Sequence, residues 1–264
     1  MNLELDGKHA LVTGSTAGIG YAIAEALARE GARVVVNGRT KKRVEQALTS
    51  IRAAHPQAKA EGLAADLGSA DGVRVAVEQL ADVDILVNNL GIFDPKPFEQ
   101  IPDEEWFRFF EVNVMSGVRL SRHYLPGMKK RNWGRIVFIS SESAVQVPAE
   151  MIHYGMTKTA QLSISRGLAE TTAGTGVTVN SVLPGPTDSE GVNEFVDRLA
   201  ASSKQTKAEV EAEFFRSVRP SSLLRRFARP HEVADLVAFV CSPLSSATNG
   251  AALRADGGVV RSIV

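Results

Sequence analysis

Short apolar runs alternate with longer amphipathic stretches along the chain, and this alternation leaves few folds open. Residues 9–13, 33–37, 58–64, 84–88, 135–140, 177–183 and 251–254 read as strands. Most are rich in Val, Ile, Leu or Ala and end at Gly, Asn, Ser or Pro. The stretches between them carry apolar residues at helical spacing: from Tyr21 to Gly31, then 40–54, 71–80, 103–131, a helix from near Tyr154, and 231–241. Pro126 and Gly127 are expected to bend or end the fourth of these. Near-continuous apolar strands separated by helices call for a parallel sheet covered on both faces. The expectation is an α/β fold: one doubly wound parallel sheet of about seven strands in a single domain over 1–264.

The first strand runs into Gly14-Ser-Thr-Ala-Gly18-Ile-Gly20 and then a helix. In that setting backbone N–H groups and the helix dipole hold a diphosphate, although a glycine-rich turn can serve tight packing alone. The spacing matches neither G-x-G-x-x-G nor a P-loop. At the end of the second strand, where a carboxylate would bind a ribose 2′-hydroxyl, stand Asn37-Gly38-Arg39-Thr40, with Lys41, Lys42 and Arg43 behind. A 2′-phosphate is the better match, hence NADP(H) over NAD(H). The alternative is that these cations only open a solvated helix.

Gly134 to Lys158 carries the chemistry. A strand ends at Ser140-Ser141, and Tyr154 and Lys158 lie one turn apart on the following helix. A lysine and a cationic cofactor ring can lower a tyrosine from near pKa 10 toward 7, which takes about 4 kcal/mol of differential stabilisation. YxxxK alone is a short pattern, and taken by itself an incidental pair on a helix surface accounts for it better. Ser141 can orient a carbonyl. A serine nucleophile with His153 lacks both the G-x-S-x-G elbow and an acid to orient the histidine. Asn113 sits among Trp106, Phe107, Phe109, Phe110, Val112, Val114 and Met115, as a satisfied core amide or as part of a site.

Between Pro186 and Pro230 more than forty residues contain no strand. Candidate helices at 192–201 and 207–218 carry Phe195, Leu199, Phe214 and Phe215. An insertion beyond a strand's carboxyl end suggests a lid over the substrate, at about 187–229; a peripheral helical hairpin is the alternative. Phe93, Val145, Val147, Met151 and Pro186 suggest a partly apolar pocket.

Lys plus Arg and Asp plus Glu are 30 each, which argues against nucleic acid or an anionic membrane as the main partner. One cysteine, Cys241, and scattered histidines offer no disulfide framework and no metal site. With no secretory pattern and no membrane-length apolar run, a cytoplasmic protein is expected.

Together these motifs resemble the short-chain dehydrogenase/reductase family over essentially the whole chain. They occur in order: Thr13-Gly14-x-x-x-Gly18-x-Gly20, Asp66, Asn88-Asn89-Leu90-Gly91, Asn113, Ser141, Tyr154-x-x-x-Lys158, Asn180 and Pro184-Gly185. Leu90 stands where alanine is usual, and Ser189 where threonine is common. The resemblance implies a Rossmann-type fold, NADP(H) with NAD(H) as the alternative, and a small carbonyl or alcohol substrate. It implies Tyr154 as general acid/base, Lys158 lowering its pKa and holding the nicotinamide ribose, Ser141 orienting the carbonyl, and Asn113 holding a relay water. Gly14, Ser15, Gly18, Ile19 and Gly20 would surround the diphosphate, Asp66 and Leu67 the adenine, and Asn89 and Gly91 the adenosine ribose. Gly185, Thr187 and Ser189 would approach the nicotinamide and phosphates. A homo-oligomer, commonly a tetramer, would join through the helices of Asn113 and Tyr154. Glu142 and Glu150 fall in the loop where family members vary most.

Overall fold

Alternation within each apolar run decides which layer a side chain joins. The computed structural model describes residues 2–190, 192–193, 196–197, 200 and 205–263. Its strands are β1 (His9–Val12), β2 (Arg33–Gly38), β3 (Lys59–Ala64), β4 (Ile85–Asn88), β5 (Gly134–Ile139), β6 (Val177–Pro184) and β7 (Ala252–Ala255). All pairings are parallel, in the order β3-β2-β1-β4-β5-β6-β7. Ala10, Val12, Val34, Val36, Ile85 and Val87 point into one core layer, against α1 (Gly18–Arg29), α2 (Lys41–Ala54) and the late helix Pro230–Cys241. Leu11, Val35, Leu86, Ile136 and Phe138 point into the other, against α3 (Ala70–Gln79) and a central helix pair. The expected Rossmann-type sheet is present, each strand within a residue or so of its expected ends.

From β1 the chain steps outward through β2 to β3, then returns to β4 on the other side of β1. The carboxyl ends of β1 and β4 therefore flank the crevice where such sheets take their ligands. Gly31, at φ +89°, ends α1 one residue past its C-cap Glu30, as its position suggests.

The long helix expected over 103–131 departs from expectation. It is α4 (Asp103–Phe110), a π turn at Glu111–Met115 and α5 (Ser116–Lys130), and α5 does not end at Pro126 but continues to Lys130. The irregularity lies at Asn113 instead. Its carbonyl accepts from Gln161 Nε2 and its side chain bonds Ile92 and Thr157, so partners distant in the sequence hold the widened turn. Beyond it, α6 (Ile152–Glu170) packs beside the π turn.

The insertion is pinned at its mouth: Thr187 and Ala228 form an isolated parallel bridge, and Ala228 N donates to the Pro186 carbonyl at 2.9 Å. Within it, α7 (Lys207–Glu213) starts at a Thr206–Glu209 capping box and passes into a second π turn, Phe214–Val218. The Phe214, Phe215 and Phe227 rings pack on one another at 5.1–5.2 Å between centroids. Phe195 and Leu199 lie outside the described residues. The chain continues through α8 (Pro230–Cys241) to β7. No described helix is long and apolar enough to cross a membrane.

Candidate active site

β5 delivers Ser140 and Ser141 to the carboxyl edge of the sheet, and α6 presents Tyr154, Lys158 and Gln161 on one face. Two hydrogen bonds fix the strand end to the helix: Ser140 Oγ donates to the Lys158 carbonyl at 2.9 Å and Thr159 Oγ1 to the Ala144 carbonyl at 2.8 Å. The Tyr154 hydroxyl shares a hydrogen bond with Ser141. The Ser141 oxygen also accepts from Ser143 N at 3.1 Å. Both hydroxyls face a cavity of about 830 Å³ that Lys158 lines as well, a size that suits a bound small molecule.

Lys158 is engaged by carbonyl oxygens rather than by the Tyr154 hydroxyl. Its Nζ donates to the Ile139 carbonyl at 2.9 Å and lies 3.4 Å from Gln161 Oε1. Burial pushes the ammonium down to about 7. The Tyr154 phenol goes up to about 12: loss of water raises it first and Glu142 adds to the rise, against the Ser141 hydrogen bond and Arg219. Lys158 Nζ sits 5.5 Å from the Tyr154 ring centre and is held by carbonyl oxygens. In this geometry the tyrosine is a protonated acid.

Asn113 Oδ1 accepts from Ile92 N at 2.8 Å; its Nδ2 donates to the Ile92 carbonyl and to Thr157 Oγ1, both at 3.0 Å. A Cβ added to Gly91 would lie 3.4 Å from Lys158 Nζ and 3.5 Å from Asn113 Oδ1. The bare glycine is therefore what these two groups share. Gln161, which bridges Lys158 to the Asn113 carbonyl, escaped the sequence reading. Its spacing from Tyr154 and Lys158, seven and three residues on, was the available signal. His153 is fully buried against Phe109 and Trp106, 3.6 Å from Glu105, so it packs on α4 and does not serve Ser141.

On the other side of the crevice, α1 begins at Gly18 after an extended Ala17 that supplies no side-chain cap, and no acid stands in its first turn. An uncapped helix start next to Gly14 (φ +60°) suits an anion. Gly20 has no alternative: a Cβ there would meet Asn89 Nδ2 at 2.4 Å and the Gly14 carbonyl at 2.5 Å. Asn89 itself donates to the Thr13 and Gly14 carbonyls. Ser15 is turned inward: its Oγ donates to the Val12 carbonyl, its N–H donates to the Asn37 carbonyl, and it is fully buried. Its polar groups shape the loop and do not reach the crevice. Asn37 plays a similar part, with Oδ1 accepting from Gly14 N and Nδ2 donating to the Leu63 and Ala65 carbonyls.

Ile19, Asn89, Gly91, Gly185, Thr187 and Ser189 line the large cavity. Gly14, Arg39, Asp66 and Leu67 line a neighbouring cleft of about 90 Å³. Gly18 faces Ser189, whose Cβ a methyl there would meet at 3.3 Å. Arg39 is exposed, while Arg43 is engaged by Glu190 of the insertion at 2.6 Å. Of the expected apolar lining, Phe93, Met151 and Pro186 border the cavity, but Val145 and Val147 are half exposed at the surface.

A family model described as short chain dehydrogenase matches residues 8–200. The chain belongs to the short-chain dehydrogenase family. It is 54% identical, over the full length of both chains, to the uncharacterized oxidoreductase YvaG of Bacillus subtilis. The crystal structure of L-sorbose reductase from Gluconobacter frateurii, complexed with NADPH and L-sorbose, covers all of both chains at 31% identity and a TM-score of 0.92. That of a 7α-hydroxysteroid dehydrogenase with NADH and 7-oxo glycochenodeoxycholic acid covers 100% of this chain and 98% of its own, at 31% identity and a TM-score of 0.84. A short-chain dehydrogenase uses NAD(P)(H). The uncapped α1 start, the glycine approach at Gly14 and Gly20 and the paired clefts fit such a dinucleotide.

Proposed function

We propose that this short-chain dehydrogenase interconverts a carbonyl compound and its secondary alcohol with NADP(H), using Tyr154 as the proton donor and acceptor. The observation that carries the reading is the convergence of the Tyr154 and Ser141 hydroxyls on one cavity, with Lys158 one helical turn away. In reduction the protonated Tyr154 phenol gives its proton to the carbonyl oxygen, and Ser141 donates a hydrogen bond that orients that oxygen. NADP(H), when bound, would supply the hydride for reduction and take it up in oxidation. Lys158 would hold the nicotinamide ribose, its Nζ fixed by the Ile139 carbonyl and by Gln161, which the Asn113 carbonyl anchors in turn. Beside Gly91, Asn113 and Lys158 border the position for a relay water.

Gly14, Gly18, Ile19 and Gly20 hold the diphosphate, with Ser15 and Asn37 supporting the loop from behind. Asp66 and Leu67 border the adenine, Asn89 and Gly91 the adenosine ribose, and Gly185, Thr187 and Ser189 the nicotinamide side. Arg39, exposed beside the adenine cleft and without an acid at the end of β2, favours a 2′-phosphate. An NAD(H) reading has its own support, because Glu190 occupies Arg43. Steady-state kcat/KM with NADPH and with NADH over a carbonyl panel separates the two. A clear NADPH preference supports the reading, and equal or better use of NADH removes the Arg39 argument. The insertion acts as a substrate lid, and the enzyme works as a cytoplasmic homotetramer.

A further inference from the structure

One corner of the cavity is ionic. Glu142, Glu150 and Arg219 line it together with Ser141 and Tyr154, and Glu142 and Arg219 are both buried. Arg219 Nε donates to Glu142 Oε1 at 2.9 Å; Nη1 donates to Glu150 Oε1 at 3.2 Å and to the Val218 carbonyl at 3.0 Å. The other Glu142 oxygen lies 3.4 Å from Ser141 Oγ and accepts a short hydrogen bond from Ser143 Oγ. The guanidinium is thus one carboxylate away from the hydroxyl that would orient the reacting carbonyl.

The backbone behind this arginine is fixed: Arg219 N donates to the Phe214 carbonyl at 2.9 Å, and the Arg219 carbonyl accepts from Ser222 N at 3.1 Å. A guanidinium has five N–H donors. Three are used, and among the described residues no protein acceptor meets Nη2.

This corner discriminates between kinds of ligand. A purely apolar group pressed against it would strip water from Nη2 and from Glu150 and replace no hydrogen bond. A carboxylate would meet an arginine already held by two carboxylates, with Glu213 also on the cavity wall, and like charges there repel it. A neutral oxygen accepts from Nη2 without either penalty, and a hydroxyl can also donate to Glu150.

We propose that Arg219 is a specificity-determining residue that takes a neutral hydroxyl next to the reacting carbonyl, so that the substrate is an uncharged hydroxylated ketone or aldehyde, or the matching polyol. The assignment rests on the carbonyl–alcohol reading above and names its substrate class.

Hydroxyacetone, butanone and pyruvate are carbonyl compounds of similar size that differ in this one substituent. With the full-length protein and NADPH, kcat/KM is expected to be highest for hydroxyacetone, by about tenfold or more over each of the others. Arg219→Met should lower the hydroxyacetone-to-butanone ratio about tenfold, mostly through KM. Arg219→Lys keeps the charge near Glu142 but loses the guanidinium fork, and should lower the ratio as well; retained NADPH binding reports that each variant is folded. A preference for butanone or pyruvate overturns the proposal. So does a ratio that neither variant moves, and so does failure to reduce hydroxyacetone at all. Failure of the underlying reading is distinguishable, because parent and Tyr154→Phe would then turn over alike whatever the ratio.

Discussion

At the scale of single residues, the site contains a cation that folding does not favour. Lys158 is buried against a carbonyl and an amide oxygen, and among the described residues no carboxylate is in contact with it. Its pKa falls from 10.5 to about 7, so between these values the unfolded chain binds more protons than the folded one. Stability of the cofactor-free enzyme therefore rises with pH from about 7 toward 10, and the penalty below pH 7 is about 5 kcal/mol. Lys158→Met is expected to be more stable than the parent in urea at pH 6, with the gap narrowing at pH 9. A gap independent of pH would show that Lys158 is not the group responsible. Arg39 is tested through selectivity. Arg39→Ala should lower the NADPH-to-NADH ratio of kcat/KM about tenfold, as expected for losing one charge-assisted phosphate contact. An unmoved ratio would shift the preference to other groups.

At the scale of elements, the glycine loop and α1 act as one unit. The Gly20 Cα lies so close to Asn89 Nδ2 and the Gly14 carbonyl that Gly20→Ala must move the loop or the helix. Isothermal titration is expected to show at least about tenfold weaker cofactor binding, and thermal unfolding a Tm lower by several degrees. Unchanged binding would mean that the loop does not carry the diphosphate. The strands were legible because runs such as Val34-Val35-Val36 are apolar on both faces, and two-sided burial needs little else. Tyr154 and Lys158 were legible through spacing and order along the chain. The π turn was not, because bulky apolar residues crowd most of 106–115, broken only by Arg108, Glu111 and Asn113, and none of these marks where a turn widens. Asn113 was recognisable as odd, but its partners Ile92 and Thr157 lie 21 and 44 residues away. The inward turn of Ser15 was hidden for the same reason. A serine beside a glycine loop reads as a ligand contact until Asn37, 22 residues on, is seen to engage it. The direction of the Tyr154 shift escaped because burial, which outweighs the nearby charges, is a property of the assembled fold.

At the scale of the whole molecule, α4 leaves apolar surface uncovered. Phe107 is 74% exposed, and Phe110 on the same helix and Phe98 just before it are also exposed; α4 itself packs against α6. A homotetramer joined through these helices would cover it. Light scattering should give the mass of four chains for the parent and a smaller species for Phe107→Asp; a parent of monomer size removes the assembly. Whatever the assembly, the central claim is that a cofactor crevice at the β1/β4 switch point and a proton donor on α6 form one reducing site. The most direct test is single-turnover oxidation of bound NADPH by a carbonyl substrate, comparing the parent with Tyr154→Phe at matched cofactor occupancy. Normal NADPH binding is expected in the variant, with a hydride-transfer rate lower by about 10²- to 10⁴-fold. Turnover by Tyr154→Phe at the parent rate would contradict it.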